Sequence, residues 1–159
     1  MEINETNILD DKGFVHIGGG DAKDFLQNIV TNDIEKITNN LTIFSSILTP
    51  QGKYLYEFFI LKLKNEYLLE CEKESTSGII KIFNFYKLRS KVNLIDVSKK
   101  YTSAVISLKK SKEINQSLNS KGYTTSYKDN IIFIDSRNEN LGAKIVSKTE
   151  NIKNVIENL

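Results

Sequence analysis

The sequence predicts an α+β fold: an antiparallel sheet meander with helices, followed by a ferredoxin-like β-α-β-β-α unit. Three observations predict it. Apolar residues alternate with period two over some short runs and recur at helical spacing over others, the marks of half-buried strands and amphipathic helices. Turn chemistry separates the runs, most clearly at Pro50-Gln51-Gly52, which lies between Phe44–Leu48 and Tyr54–Leu63 and reads as the loop of a β-hairpin. From Lys99 onward the pattern becomes strand, helix, strand, strand and a last helix. These readings divide the chain into residues 1–98 and 99–159.

Bulk properties narrow the function classes. A chain of 159 residues with 40% hydrophobic content can bury a real core. Its 22 basic and 20 acidic side chains leave a formal net charge of +2, too balanced to argue for a nucleic-acid or membrane partner. One cysteine, Cys71, excludes an internal disulfide framework, and with a single His there is no cluster of soft metal ligands. No apolar run approaches membrane-spanning length, and the start MEINETNILDD has no basic segment followed by an apolar one, so the expected location is the cytoplasm.

Taken in order, Gly13–Ile17 is a strand that Gly18, Gly19 and Gly20 break. A helix follows, with Asp21 as its cap and Ala22, Phe25, Leu26, Ile29 and Val30 on one face. Free backbone N–H groups after a triple glycine could cradle an anion. Lys23, however, stands where the third glycine of a dinucleotide fingerprint belongs, and a plain strand-to-helix turn accounts for the run. His16 alternates with apolar neighbours, and no nucleophile is apparent for it. Thr31-Asn32-Asp33 opens a polar loop, since such side chains bond nearby backbone.

The hairpin then leads through Lys64-Asn65-Glu66 into a strand over Tyr67–Glu72. Its second strand is apolar from Tyr54 to Leu63 except for Glu57 and Lys62, and alternation puts Glu57 on the side of Leu55, Phe59, Leu61 and Leu63. A lone carboxylate on a strand read as buried needs a partner or a ligand. Cys71 lies between Glu70 and Glu72, whose charges discourage a thiolate, so it reads as structural.

After a break at Ser75–Gly78, Ile79, Ile80, Phe83, Tyr86 and Lys87 set up a helix that delivers the basic run Lys87–Lys91, with Arg89 at its centre. These charges suit an anionic ligand such as a polyglutamate tail, and equally suit a helix C-terminus. Val92–Val97 is a further strand. In the second unit the readings are a strand at Ala104–Leu108, a helix over Ser111–Ser120 stopped by Gly122, strands at Ile131–Asp135 and Leu141–Val146, and a helix carrying Ile152, Val155, Ile156 and Leu159. That helix is still periodic at the last residue, which leads one to expect more protein beyond it.

The order GxDAxxFLQ (Gly20–Gln27), TND (Thr31–Asp33), LTPQGK (Leu48–Lys53) and YKLRSKV (Tyr86–Val92), followed by DVS, resembles the N-terminal half of the YgfZ-type folate-binding proteins. These are relatives of the aminomethyltransferase T-protein of glycine cleavage. The resemblance implies a tetrahydrofolate-binding accessory protein for iron-sulfur cluster assembly or repair, with a link to tRNA modification and iron-sulfur assembly proteins as partners. It also implies three units in a ring with folate in the central funnel, so that half a ring would expose a surface suited to a homodimer. By the same resemblance Glu57 occupies the place of an Asp near the reactive folate nitrogens, with Phe59 two residues on and Phe44 facing the ligand from the preceding strand. Arg89 is the fourth candidate, and no catalytic residue or metal ligand is expected. The Lys-Gly-Cys-Tyr-x-Gly-Gln-Glu signature of the second half of those proteins is absent, and Cys71 does not match it. Two other readings stand beside this one: part of a tetrahydrofolate-dependent aminomethyltransferase or methyltransferase, and a ligand-free α+β interaction module in which Glu57 is ion-paired to Lys62 or Arg89, or partly exposed.

Overall fold

Strands with apolar alternation and short polar turns fold back on their neighbours, and the computed structural model, which describes residues 5–159, arranges them as two antiparallel sheets. The chain divides into two units, one formed by residues 11–98 and one by residues 99–159 together with the described residues up to Asp10. The N-terminal segment therefore departs from the sequence reading of residues 1–98 as one unit. Strand β1 (Thr6–Leu9) pairs with β7 (Tyr101–Ile106) of the C-terminal unit.

The unit over residues 11–98 holds β2 (Lys12–Gly18), α1 (Ala22–Ile29), β3 (Ile43–Leu48), β4 (Tyr54–Leu63), β5 (Glu66–Glu72), α2 (Thr76–Lys87) and β6 (Asn93–Asp96). Its five-stranded sheet runs in the order β3-β4-β5-β2-β6, and every neighbouring pair is antiparallel. Both helices pack on one sheet face, where Phe83 of α2 meets Phe25 of α1 edge-to-face at 5.5 Å and Phe58 of β4 at 6.3 Å. Val15, Ile17, Ile43, Ile47, Ile60 and Leu69 complete that core. Cys71 belongs to it as well, and burial pushes its thiol pKa up to about 11, so the structural role read from the sequence holds.

The other unit adds α3 (Leu108–Ile114), β8 (Thr124–Tyr127), β9 (Asn130–Ile134), β10 (Ala143–Lys148) and α4 (Ile152–Glu157), and its five-stranded sheet has the order β1-β7-β10-β9-β8. The α+β class and the alternation of strands and helices follow the sequence reading. Two short strands, β1 and β8, are additional, and α3 begins at Leu108 rather than Ser111 because Ser107 caps it by accepting the Lys110 N–H. All the described strand pairs are antiparallel, so the unit lacks the parallel split-βαβ pairing of a ferredoxin-like sheet. Asp135 is buried here. Burial alone would raise its carboxyl, but two side-chain bonds and a backbone N–H from Arg137 hold it below the usual range.

Packing accounts for Gly18 and Gly19 of the triple glycine: a Cβ on Gly18 would come within 2.6 Å of Glu66 Oε1. Gly19 has φ +107°, and a Cβ there would come within 2.2 Å of the Lys91 carbonyl oxygen. Asp21 does not cap α1 with its side chain; its carboxylate accepts the Lys91 N–H at 2.7 Å, while its own N–H donates to the Lys91 carbonyl. Gly19 thus lets the start of α1 dock against the end of the basic run. Gly19→Ala should lower unfolding free energy by about 2 kcal/mol or more, through combined backbone strain and clash. Gly20→Ala, with open space around the added carbon, should leave it within about 0.5 kcal/mol. Urea denaturation of the two variants checks the contrast.

Candidate functional site

The sheet face opposite α1 and α2 is built by alternation from β3, β4, β5 and β2. Cross-strand pairing puts Phe44 opposite Phe59, Phe59 opposite Glu70, and Glu70 opposite Phe14, a row of three aromatic rings and one buried carboxylate. Phe44 and Phe59 pack edge-to-face with ring centroids 5.1 Å apart. One row along, Glu57 stands opposite Ser46. Two rows thus differ in character: one aromatic, one polar.

Three of the four sequence candidates, Phe44, Glu57 and Phe59, therefore lie together on two paired strands. Glu57 is exposed, which corrects the reading of β4 as buried throughout: only Phe58 to Leu61 are buried, and the hairpin end of the strand carries Tyr54, Leu55 and Glu57 at the surface. Among the described residues neither Lys62 nor Arg89 is ion-paired to Glu57. The Lys62 ammonium instead lies 4.5 Å from the centre of the Tyr67 ring. Arg89 follows α2, whose packing is on the other sheet face, so the structure separates it from the other three candidates.

The TND segment is a polar loop whose side chains hold β3. Thr31 and Ser46 exchange backbone bonds at the edge of the sheet, where the Thr31 N–H donates to the Ser46 carbonyl and the Ser46 N–H donates to Thr31 Oγ1. Asn32 Nδ2 donates to the Phe44 carbonyl at 3.0 Å, and the Asn32 N–H donates to Ser45 Oγ. These bonds satisfy backbone groups that an edge strand leaves unpaired. The hairpin loop closes on itself through Thr49, which accepts from Gly52 and Lys53. Gly52, at φ +82°, supplies the left-handed residue that loop needs.

Around the face, other charged groups are paired. Lys12 is ion-paired with Glu72 across β2 and β5, and His16 Nε2 lies 2.6 Å from Glu66 Oε2. No group of three or more His, Cys, Asp or Glu side chains suited to a metal ion occurs among the described residues. No helix among them is long and apolar enough to cross a membrane.

No protein-family model matches the chain. Over 93 residues it is 30% identical to the iron-sulfur cluster assembly factor IBA57 homolog, mitochondrial, of Neurospora crassa, covering 54% of this chain and 21% of that protein. Over 87 residues it is 31% identical to an aminomethyltransferase of Staphylococcus epidermidis, covering 54% of this chain and 23% of that protein. The backbone matches the crystal structure of glycine cleavage system aminomethyltransferase T from Bartonella henselae with a TM-score of 0.76, over 96% of this chain and 44% of that one, at 10% identity. The chain has the fold of that aminomethyltransferase T structure. The chain spans less than half of that structure and about a quarter or less of the IBA57 and aminomethyltransferase relatives it matches.

The clamp on β3 makes a prediction. Asn32→Ala should cost about 1 kcal/mol of unfolding free energy by removing the bond from Asn32 Nδ2 to the Phe44 carbonyl. Asn32→Asp should cost more than Asn32→Ala, because a carboxylate cannot donate and sets negative charge against that carbonyl. Chemical denaturation of both variants measures the order.

Proposed function

We propose that the chain binds a reduced folate, tetrahydrofolate or a derivative, on the β3–β4 face, as an accessory protein of iron-sulfur cluster assembly or repair. The observation that carries this reading is the Phe44–Phe59 ring pair beside the exposed carboxylate of Glu57. A planar pterin presents a π-face and ring-edge N–H donors. Aromatic edges suit the first, and a carboxylate that can accept two parallel N–H bonds suits the second. Relatives named as iron-sulfur cluster assembly factors and as aminomethyltransferases support the class of role. A service to tRNA-modifying enzymes, iron-sulfur assembly proteins as partners, self-association and a cytoplasmic location all belong to this proposal. Arg89, on the far side of the sheet, serves in it only as a helix-end cation or as a contact for an anionic tail that reaches round the edge.

Two other readings keep specific support. The aminomethyltransferase relatives favour a share in group transfer, with Glu57 orienting the pterin. The exposure of Glu57 favours the ligand-free module, which expects a carboxylate partly in water.

Calorimetric titration with 5-formyltetrahydrofolate separates them. The proposal expects saturable binding by the wild-type chain, weakened about tenfold, or about 1.4 kcal/mol, by Glu57→Ala and by Phe44→Ala, with circular dichroism showing both variants folded. Absence of binding by the wild-type chain, or equal binding by all three proteins, overturns it and leaves the ligand-free module.

A further inference from the structure

We propose that Tyr54 is a positioning residue for Glu57: a β-bulge at Leu55 brings its phenol to the face of the carboxylate, where the hydroxyl donates to one oxygen and leaves the other to a ligand. In an unbroken strand the two residues, three apart, would point to opposite faces. The pairing of β3 with β4 is not unbroken. Ser46 lies opposite Glu57 and Ile47 opposite Tyr56, but Leu48 lies opposite Tyr54, so two steps on β3 match three on β4 and Leu55 is the extra residue. Leu48 shares a face with Ser46 and Phe44. Tyr54 therefore joins Glu57 and Phe59, which the alternation of the sequence denies it.

The electrostatics agree with the geometry. The Tyr54 phenol is raised above its ordinary pKa, by burial first, then by the negative charge of Glu57 and a hydrogen bond to it, with a smaller contribution from Glu72. Glu72 is ion-paired to Lys12, so Glu57 is the acceptor left to the phenol. Glutamate has one more rotatable bond than aspartate, and at an exposed position that freedom must be frozen when a ligand binds. A phenol donating to one carboxylate oxygen restricts it beforehand.

The pairing rests on the bulge and on the phenol's interaction with Glu57; its consequence for binding rests on the function proposed above, and two measurements on the intact chain keep them apart. The first needs no ligand. The Tyr54 ring is titrated by NMR, assigned by its loss in Tyr54→Phe, with Glu57 and Glu72 as the charged groups that act on it. Glu57→Gln should move its pKa down toward the ordinary tyrosine value, and Glu72→Gln should move it less. An unchanged titration in Glu57→Gln overturns the pairing. The second is titration with 5-formyltetrahydrofolate. Tyr54→Phe, which keeps the ring and removes only the hydroxyl, should weaken binding about fivefold in the wild-type background and not at all in Glu57→Ala, which leaves the hydroxyl no acceptor at that position. Wild-type affinity in Tyr54→Phe, or the same loss in both backgrounds, overturns the positioning role. A wild-type chain that binds no folate overturns the proposed function and the positioning of a ligand with it, while the ring titration still decides the pairing.

Discussion

The register between β3 and β4 is the constraint on which the face depends. Side chains on a strand alternate strictly, so a slip of one residue would move Phe59 to the helix-covered face and Phe58 away from it. Two devices hold the register. At one end the Thr31-Asn32 segment bonds to the backbone of Phe44 and Ser46 along the edge of the sheet. At the other, the loop closed by Thr49 and the bulge at Leu55 fix how β4 enters the sheet. Between them Phe44 meets Phe59 and Glu57 meets Ser46, and these pairs make the candidate site.

Much of what looks functional elsewhere in this unit is used by folding. Gly19 lets α1 begin against the Lys91 backbone, and Asp21 spends its carboxylate on the same contact. Lys87 donates to the Val92 carbonyl beyond the helix end. Cys71 is a buried thiol between the Gly13 carbonyl and the Thr76 hydroxyl, and His16 is paired with Glu66. Removing these from the list of candidates concentrates the chemistry on β3 and β4. The exposed Phe85 and Leu88 at the end of α2 stay outside that account. Leu88 also holds φ +44°, a value a glycine would adopt more readily.

Legibility in the sequence followed the range of the interactions. The hairpin, the meander and both helices of the residue 11–98 unit are written locally, in alternation, 3.6-residue spacing and turn residues, and they were readable. Strands β1 and β8 have four residues each and mixed polarity, and β1 exists through pairing with β7, some ninety-five residues away along the chain. Nothing local announces such a strand. Glu57 was placed correctly beside Phe59, but its exposure was not foreseen, because alternation assigns a face and says nothing of how far along the strand that face is covered. The role of Asn32 was missed since an Asn in a polar loop has many local acceptors, and only the fold brings Phe44 within its reach. Tyr54 was missed because a bulge reverses the parity on which the reading relied. In the other unit the Asp135–Arg137 pair has a local signal, opposite charges two residues apart after a strand.

The central claim is that Glu57 and the Phe44–Phe59 ring pair face a folate. Intermolecular nuclear Overhauser effects between bound 5-formyltetrahydrofolate and the assigned ring protons of the protein test it most directly. The account predicts contacts from the pterin C7 methylene and benzoyl ring protons to the rings of Phe44 and Phe59. Contacts that fall instead on other rings, such as Phe85 and Tyr86, with none to Phe44 or Phe59, would contradict it.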